Sequence, residues 1–191
     1  TAIPLANLIK AYDQFRSAEE VDISLIMAGK AAHGTRGTAL PNYIIENICE
    51  YRKDCIAFVS PQRADVINNP FQEMESIVST RNQMPSSSYG VMDSGYKYQY
   101  DRYNDVYRFV PLNGDIAGLS ARTDILADAW YSPAGLNRGV VKGAAKLAYN
   151  PTKTQRDDLY TSRVKPVATF SGQGTVLFGD KTGLSSPSAF D

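Results

Sequence analysis

Two short apolar segments joined by a helix-like one constrain this fold more than any other feature of the chain. The first is Val21 to Gly29 (VDISLIMAG) and the second is Cys55 to Pro61 (CIAFVSP). Apolar runs of this length are typical of strands buried on both faces. From Pro41 to Lys53 the apolar residues instead recur at helical spacing, after a proline suited to a first helical turn. Because this crossover is long enough for parallel pairing, the pattern predicts an α/β domain with a layered mixed sheet and helices packed on it.

A cluster of tyrosines in the middle of the chain predicts an aromatic β-hairpin. Tyr96, Tyr98 and Tyr100 alternate with polar residues and would share one strand face. Residues 106–110 alternate in the same way, and the polar residues 101–105 between them form the turn. We expect the tyrosine face to be partly core and partly subunit contact.

Helical spacing predicts four further helices. Residues 1–20 are interpreted as a helical lead-in from a preceding domain. A second helix is expected to begin at Asn69-Pro70-Phe71-Gln72, which offers an N-cap, a proline start and a capping-box glutamine, and to continue to Arg81. Residues 113–127 predict a third helix and Thr152-x-x-Gln155 starts a fourth with a capping box. The predicted inward side chains of the third helix are Ile116, Leu119, Thr123 and Leu126.

The remaining segments predict strands and set the expected domain limits. Residues 140–150 return to strand, and PVATFSG and TVLFGDKTG form two strands around a glycine-rich turn. We expect an α/β core domain over residues 21–184 and a disordered tail over residues 185–191 at a truncation point. Because the chain starts without a methionine and ends after a Ser/Pro-rich stretch, it is interpreted as a piece of a longer multidomain protein.

The charge balance limits the classes of partner. Lys and Arg together number 20, Asp and Glu together number 20, and the formal net charge is zero. A duplex-binding protein normally carries a basic excess, so we expect no nucleic acid partner. The apolar runs are all shorter than the roughly 18 residues that span a bilayer, so we expect no membrane insertion. An uncharged chain also does not repel its own copies strongly, which favours self-association.

Candidate catalytic and ligand-binding motifs fail in detail. Gly29-Lys30 follows a strand, but a phosphate loop needs an earlier glycine where Ser24 stands and a hydroxyl residue where Ala31 stands. The single histidine, His33, has no nucleophile context and cannot complete a zinc site with the two cysteines. Cys55 heads an apolar strand, where a thiol stays protonated. We therefore expect no catalytic, cofactor or metal site and a protein that is not an enzyme.

Three sequence blocks in a fixed order carry a resemblance to a known family. Residues 110–124 read VPLNGDIAGLSARTD, residues 130–135 read WYSPAG and residues 174–182 read GTVLFGDKT. This order resembles the core of the contractile phage tail sheath proteins, and its wording is similar to the T-even myophage branch. Asn113 stands where the family more often has serine, and Lys181 stands where it has arginine. The residues that match the family motif are Pro111, Gly114, Gly118, Arg122, Thr123, Asp124, Trp130, Pro133, Gly174, Gly179, Lys181 and Thr182.

The resemblance implies a structural subunit that works by assembly. Such subunits stack as hexameric rings around a tail tube above a baseplate, and contract to drive the tube through the host envelope without consuming a nucleotide. The implied location is the virion, after assembly in the host cytoplasm. The family also exchanges terminal strands between neighbours. The 191-residue chain alone is then expected to be a monomer.

The resemblance also implies roles for several motif residues. Gly114, Gly118 and Gly179 would lie at tight packing points, and Trp130 would be a buried anchor for its loop. Arg122 and Asp124 would form a structural ion pair or a helix-end bond, or would simply be solvated charges. Two other functions remain open: the sheath of a phage-derived contractile injection device, and an α/β enzyme that binds a nucleotide or phosphate.

Overall fold

A parallel three-stranded sheet is the centre of the fold. The computed structural model describes residues 3–30 and 34–186. Strands β1 (Leu25–Met27), β2 (Ile56–Val59) and β3 (Gly90–Met92) lie in that order, and both neighbouring pairs are parallel. The two apolar runs are thus the paired strands that the sequence predicts. Before them, helix α1 (Leu5–Asp13) packs its apolar side chains against the core without burying any of them completely.

One nearly continuous helix crosses from β1 to β2. A short 3-10 turn (Thr35–Gly37) precedes α2 (Ala39–Ile44), a π-helical turn (Ile45–Cys49) and α3 (Glu50–Arg52). The apolar stripe of this helix is buried against one face of the sheet. Its closest approach is at Gly90, where an added Cβ would lie 2.7 Å from Cδ1 of Ile45. Glycine at this position lets the helix and the sheet come together.

Two short helices join β2 to β3, and the second begins later than predicted. These are α4 (Arg63–Val66) and α5 (Glu73–Arg81). The predicted start at Asn69 is wrong, because its side-chain amide donates to Oγ of Ser76 at 2.9 Å and to the Asp65 carbonyl at 3.1 Å. Phe71 has a positive φ of 67° and is 99% exposed, so it lies in the turn before the helix.

The aromatic hairpin and the helix after it form as predicted. Strands β4 (Tyr96–Asp101) and β5 (Val106–Pro111) pair antiparallel, and β4 also pairs with the short β6 (Lys146–Leu147). Helix α6 (Asn113–Leu126) then packs on the second face of the parallel sheet. Its inward residues Ile116, Leu119 and Thr123 are buried as predicted. Leu126 is 66% exposed, which contradicts its prediction, because the last turn of α6 is not covered by other described residues.

The final third contains one helix and one hairpin. Helix α7 (Lys153–Thr161) has the predicted capping box between Thr152 and Gln155. Strands β7 (Val167–Phe170) and β8 (Gly174–Leu177) pair antiparallel around the glycine-rich turn. The predicted strand over residues 140–150 is realised only as β6 and as an isolated bridge between Val140 and Val176.

The parallel sheet separates two apolar cores. The crossover helix and α1 cover one face, whereas α6, β7 and β8 contribute to the core on the other. The domain limits of the sequence analysis remain predictions. Residues 187–191 of the predicted tail lie outside the described residues. His33 also lies outside them.

Candidate functional site

An open cleft of about 470 Å³ lies on the α6 side of the parallel sheet. Its floor is apolar and includes Leu25 and Ile56, the first residues of β1 and β2. One wall is the end of α6 and the loop after it. The other wall is the segment that leads into β7 and the segment that follows β8. The charged and aromatic side chains that line it are Asp54, Phe58, Asp124, Trp130, Tyr131, Lys165 and Asp180.

Four residues of the family motif meet in this cleft. Asp124, Trp130, Pro133 and Thr182 come from three of the separate sequence blocks, and the fold brings all four to its lining. Part of the family motif therefore forms one surface of the folded chain. The others lie elsewhere: Pro111 ends β5, Gly174 begins β8, and the ammonium of Lys181 lies 4.1 Å from the centre of the Tyr160 ring.

Only one of the three expected packing glycines is tightly enclosed. A Cβ on Gly179 would lie 2.7 Å from Cδ of Pro166 and 3.0 Å from the Tyr160 ring. A Cβ on Gly114 would meet nothing closer than Sδ of Met27 at 3.6 Å, which is an ordinary contact, and a Cβ on Gly118 would meet no atom within 4 Å. The tight-packing prediction is therefore confirmed for Gly179 and wrong for Gly114 and Gly118.

The charged pair at the end of α6 is solvated. Arg122 and Asp124 are both exposed, and no ion pair among the described residues involves either of them. Thr123 between them is buried and donates its hydroxyl to the Leu119 carbonyl at 2.8 Å. The hydroxyl thus stays satisfied within the helix, and the two charges beside it face solvent.

Trp130 is not a buried anchor. Its side chain is 80% exposed, so the burial prediction is wrong. Ile125 at 84% and Leu126 at 66% lie just before it in the chain and are exposed as well. Large apolar side chains that are exposed together often mark a protein–protein interaction site. Helical periodicity predicted that Leu126 faces the core. It failed here because the sequence pattern does not show where the layer that covers α6 ends.

Lys165 is the functional candidate that sequence reasoning missed. It lines the cleft, is only 5% exposed, and takes part in no salt bridge among the described residues. Burial lowers the pKa of this ammonium to about 8, and the charge of Asp180 opposes the shift. Its backbone N–H donates to the Met92 carbonyl at 2.8 Å, which places it beside β3. A lysine before a predicted strand is usually solvated, so the sequence carried no signal of its burial.

A second buried ionisable group lies near the carboxyl ends of the strands. Asp93 accepts hydrogen bonds from the Ser60 hydroxyl at 2.6 Å and from the Gly95 N–H at 2.8 Å. The Ser60 oxygen also accepts from the Asn113 N–H at 3.0 Å, which ties β2 to the start of α6. Burial raises the pKa of Asp93 to about 8, although its two hydrogen bonds oppose the shift. This network ties α6 to the sheet, and none of its residues lines the cleft beside Trp130.

The rejected chemical motifs have structural roles. The Gly29 carbonyl accepts from the side-chain amide of Asn113 at 2.5 Å, so the exit from β1 is tied to α6. Cys49 and Cys55 are buried free thiols with their sulfurs 3.7 Å apart. The hydrogen bond with Cys55, together with burial, raises the pKa of Cys49. No three His, Cys, Asp or Glu side chains within residues 3–30 and 34–186 group closely enough to hold a metal ion.

Within the same described ranges, no helix is both long and apolar enough to cross a membrane.

Comparison with known proteins identifies relatives over nearly the whole chain. The family model of the phage tail sheath protein central domain matches residues 6–183. The tail sheath protein of Enterobacteria phage T4 is 41% identical over 201 residues, which cover 99% of this chain and 30% of that protein. The tail sheath protein of Vibrio phage KVP40 is 40% identical over 195 residues, which cover 94% of this chain and 29% of that protein. The chain thus spans less than a third of the length of these relatives.

Solved structures share the fold at lower identity. The helical sheath of the anti-feeding prophage in its contracted state matches with a TM-score of 0.69 and 16% identity, over 99% of this chain and 46% of that one. The contracted sheath complex of the PVC extracellular contractile injection system matches with a TM-score of 0.64 and 14% identity, over 92% of this chain and 45% of that one.

Proposed function

Because this chain belongs to the phage tail sheath protein family, we propose that its full-length protein is the structural subunit of a contractile phage tail sheath. Copies would stack as hexameric rings around the tail tube, above the baseplate, and contract to drive the tube through the host envelope. The observation that carries this proposal is the match of the sheath central domain over residues 6–183. The protein would be part of the virion after assembly in the host cytoplasm.

The structure supports an assembly role through its surface. Trp130 exposes a large apolar side chain in a cleft lined by motif residues, and Ile125 and Leu126 expose theirs at the end of α6. Burying such a patch against another protein releases free energy in proportion to the apolar area removed from water. A sheath needs free energy of this kind, because its contraction would draw on better contacts between subunits and would consume no nucleotide.

If the subunits are rigid, the free energy of new contacts would move whole domains. The parallel sheet carries an apolar core on each face, and the Ser60–Asp93–Asn113 network ties the sheet to α6. A domain packed in this way moves as one body when the contacts around it change. The aromatic hairpin adds a second candidate contact surface, since Tyr100 and Tyr107 are about half exposed.

The sheath of a phage-derived contractile injection device is the second candidate. Its supporting observation is the shared fold with the sheaths of two such devices. The much higher identity with phage tail sheath proteins favours the phage tail. A nucleotide-binding α/β enzyme is disfavoured because ligands in such folds bind beyond the carboxyl ends of the strands, whereas this cleft includes the first residues of β1 and β2.

Electron microscopy of the purified full-length protein tests the proposed function. We expect long hollow cylinders built from stacked rings, either spontaneously or in the presence of tail tubes. A full-length protein that stays monomeric with tubes and baseplates present would contradict the proposal. Turnover of a substrate by such a monomer would favour the enzyme instead.

A further inference from the structure

We propose that the cleft beside Trp130 is a contact between subunits, and that it takes an acidic and partly apolar segment of a second copy whose carboxylate pairs with Lys165. This inference rests on the proposed function, because it names the partner as another sheath subunit. Three features of the cleft carry it: the Lys165 ammonium, which has no ion-pair partner among the described residues, the charges already present around it, and the exposed apolar side chains in its lining.

Lys165 needs an anion that the described residues do not supply. Lys165 is only 5% exposed, and a buried ammonium is costly unless it is paired or hydrogen-bonded. Asp180 is exposed, accepts a hydrogen bond from the Tyr160 hydroxyl at 3.3 Å, and is not within ion-pair distance of Lys165. Asp54 is held by two hydrogen bonds from Arg52, at 2.8 and 2.9 Å. A carboxylate that enters the cleft would therefore give Lys165 the ion pair that the described part of the chain does not provide.

The charges of the lining set how much negative charge the occupant can bring. Among the described residues that line the cleft, Lys165 is the one basic residue, against Asp54, Asp124 and Asp180. A nucleic acid or an anionic lipid surface carries many negative charges and binds to clustered basic residues. This lining would repel them. A protein segment with one carboxylate at the position of Lys165 fits it, because the three aspartates remain nearer to solvent.

The apolar side chains of the cleft determine the rest of the occupant's chemistry. Trp130 and Tyr131 line the cleft and are 80% and 46% exposed, and the cleft floor includes Leu25 and Ile56. An apolar centre with a charged rim is the usual anatomy of a protein–protein contact. The chain has zero net charge, so copies can approach each other without overall repulsion. Within a protein that assembles with itself, the segment that meets this description belongs to a second copy.

Photo-crosslinking of the assembled full-length protein tests the contact directly. Trp130 is replaced by p-benzoylphenylalanine, and sheaths are assembled from an equal mixture of ¹⁴N- and ¹⁵N-labelled copies. After irradiation, we expect mixed-isotope crosslinked peptides that join position 130 to one acidic segment. Phe71 is the control position, because it is 99% exposed and does not line the cleft.

Crosslinks only within one copy would overturn the inference, since the cleft would then be filled by its own polypeptide. Crosslinks only to another tail protein, or none, would overturn it as well.

Substitution of Lys165 tests the ion pair. We expect Lys165→Met to raise the protein concentration needed for assembly about tenfold, which corresponds to the loss of about 1.4 kcal/mol per contact. Lys165→Arg should restore assembly in part, and Lys153→Met on the exposed face of α7 should leave it unchanged. The melting temperature of the unassembled protein reports folding. It should not fall in Lys165→Met, because the substitution removes a buried charge that has no ion-pair partner among the described residues. Assembly of Lys165→Met at the wild-type concentration would overturn the inference while the proposed function stands. Failure of the wild-type protein to form cylinders would instead reject the proposed function.

Discussion

Asp93 and Lys165 are neighbours in an isolated parallel bridge, yet their surroundings differ. Asp93 is fully buried, and its two oxygens accept hydrogen bonds from Ser60 and Gly95. Lys165 is almost as buried and opens onto the cleft without an ion pair among the described residues. The first group therefore helps to hold the fold together, whereas the second is the group that we propose to bind a carboxylate. Sequence pattern alone could not separate them, because each is one charged residue beside an apolar strand.

The pH dependence of stability should report the burial of Asp93. Its pKa of about 8 in the folded chain lies above the ordinary value of 3.8, so the folded state holds a proton that the unfolded state has lost. Stability from this group is complete below about pH 4 and is lost as the pH rises to 8. We expect Asp93→Asn to remove this loss, because the amide can donate to the Ser60 oxygen and its carbonyl can accept from Gly95. Urea denaturation of both proteins at pH 5 and pH 8 measures the difference, and equal pH dependence would reject the assignment.

Trp130 should contribute little to the stability of the isolated chain. At 80% exposed it loses few contacts on truncation, so Trp130→Ala should change the free energy of unfolding by less than about 1 kcal/mol. Ile116→Ala is the matched control, because Ile116 is 1% exposed and its truncation should cost about 2–5 kcal/mol. Chemical denaturation measures both. A large loss for Trp130→Ala would mean that the tryptophan is buried after all.

At the level of elements, the sequence predicted what local chemistry decides. The capping box at α7 and the hairpin of β4 and β5 follow from short-range patterns. The parallel pairing of β1 with β2 was predicted from two apolar runs separated by a crossover of helical length. The errors arise where tertiary contacts decide. Asn69 bonds to Ser76 and delays α5, and the last turn of α6 extends beyond its covering layer so that Leu126 is exposed. Residues 140–150 follow an irregular path with only two residues in a strand.

The capping box should be worth a measurable part of the stability of α7. The Thr152 hydroxyl accepts from the Gln155 N–H, and the Gln155 side chain accepts from the Thr152 N–H at 2.9 Å. Removing the hydroxyl with Thr152→Ala leaves a helix-end donor without its partner and should cost about 1 kcal/mol. Thr154→Ala, also exposed on the first turn of α7, should change stability by no more than about 0.5 kcal/mol. Thermal unfolding compares the two variants, and equal losses would contradict the capping role.

Two glycines of the family motif should respond in opposite ways to alanine. A Cβ on Gly179 would lie 2.7 Å from Cδ of Pro166, so Gly179→Ala forces the backbone apart and should cost about 1–3 kcal/mol. Gly118 lies inside α6, and a Cβ there meets no atom within 4 Å. Gly118→Ala should therefore stabilise the chain by about 0.4–1 kcal/mol, because alanine restricts the unfolded chain and favours the helix. Denaturant unfolding checks the signs. A stabilising Gly179→Ala would show that β8 can shift without strain.

At the scale of the whole molecule, part of the family motif forms one surface. Its residues come from separate sequence blocks, and the fold gathers Asp124, Trp130, Pro133 and Thr182 around one cleft. The order of the blocks was enough to recognise the family, but it could not reveal that they meet. It also could not reveal Lys165, which is not part of the motif. Function in such a protein lies in surfaces that only the folded chain assembles.

The 191-residue chain on its own should be a monomer even though its cleft is open. Ring and helix formation multiply several weak contacts, and each added contact raises the effective concentration of the next. A chain that spans 30% of the T4 tail sheath protein carries only part of such a set. We therefore expect sedimentation velocity at micromolar concentration to give one species of 21.0 kDa. Lys165→Met should not change this value, because the cleft contact alone is too weak to hold two copies together. Rings or tubes formed by this chain would contradict the prediction and would place all the contacts needed for assembly within these residues.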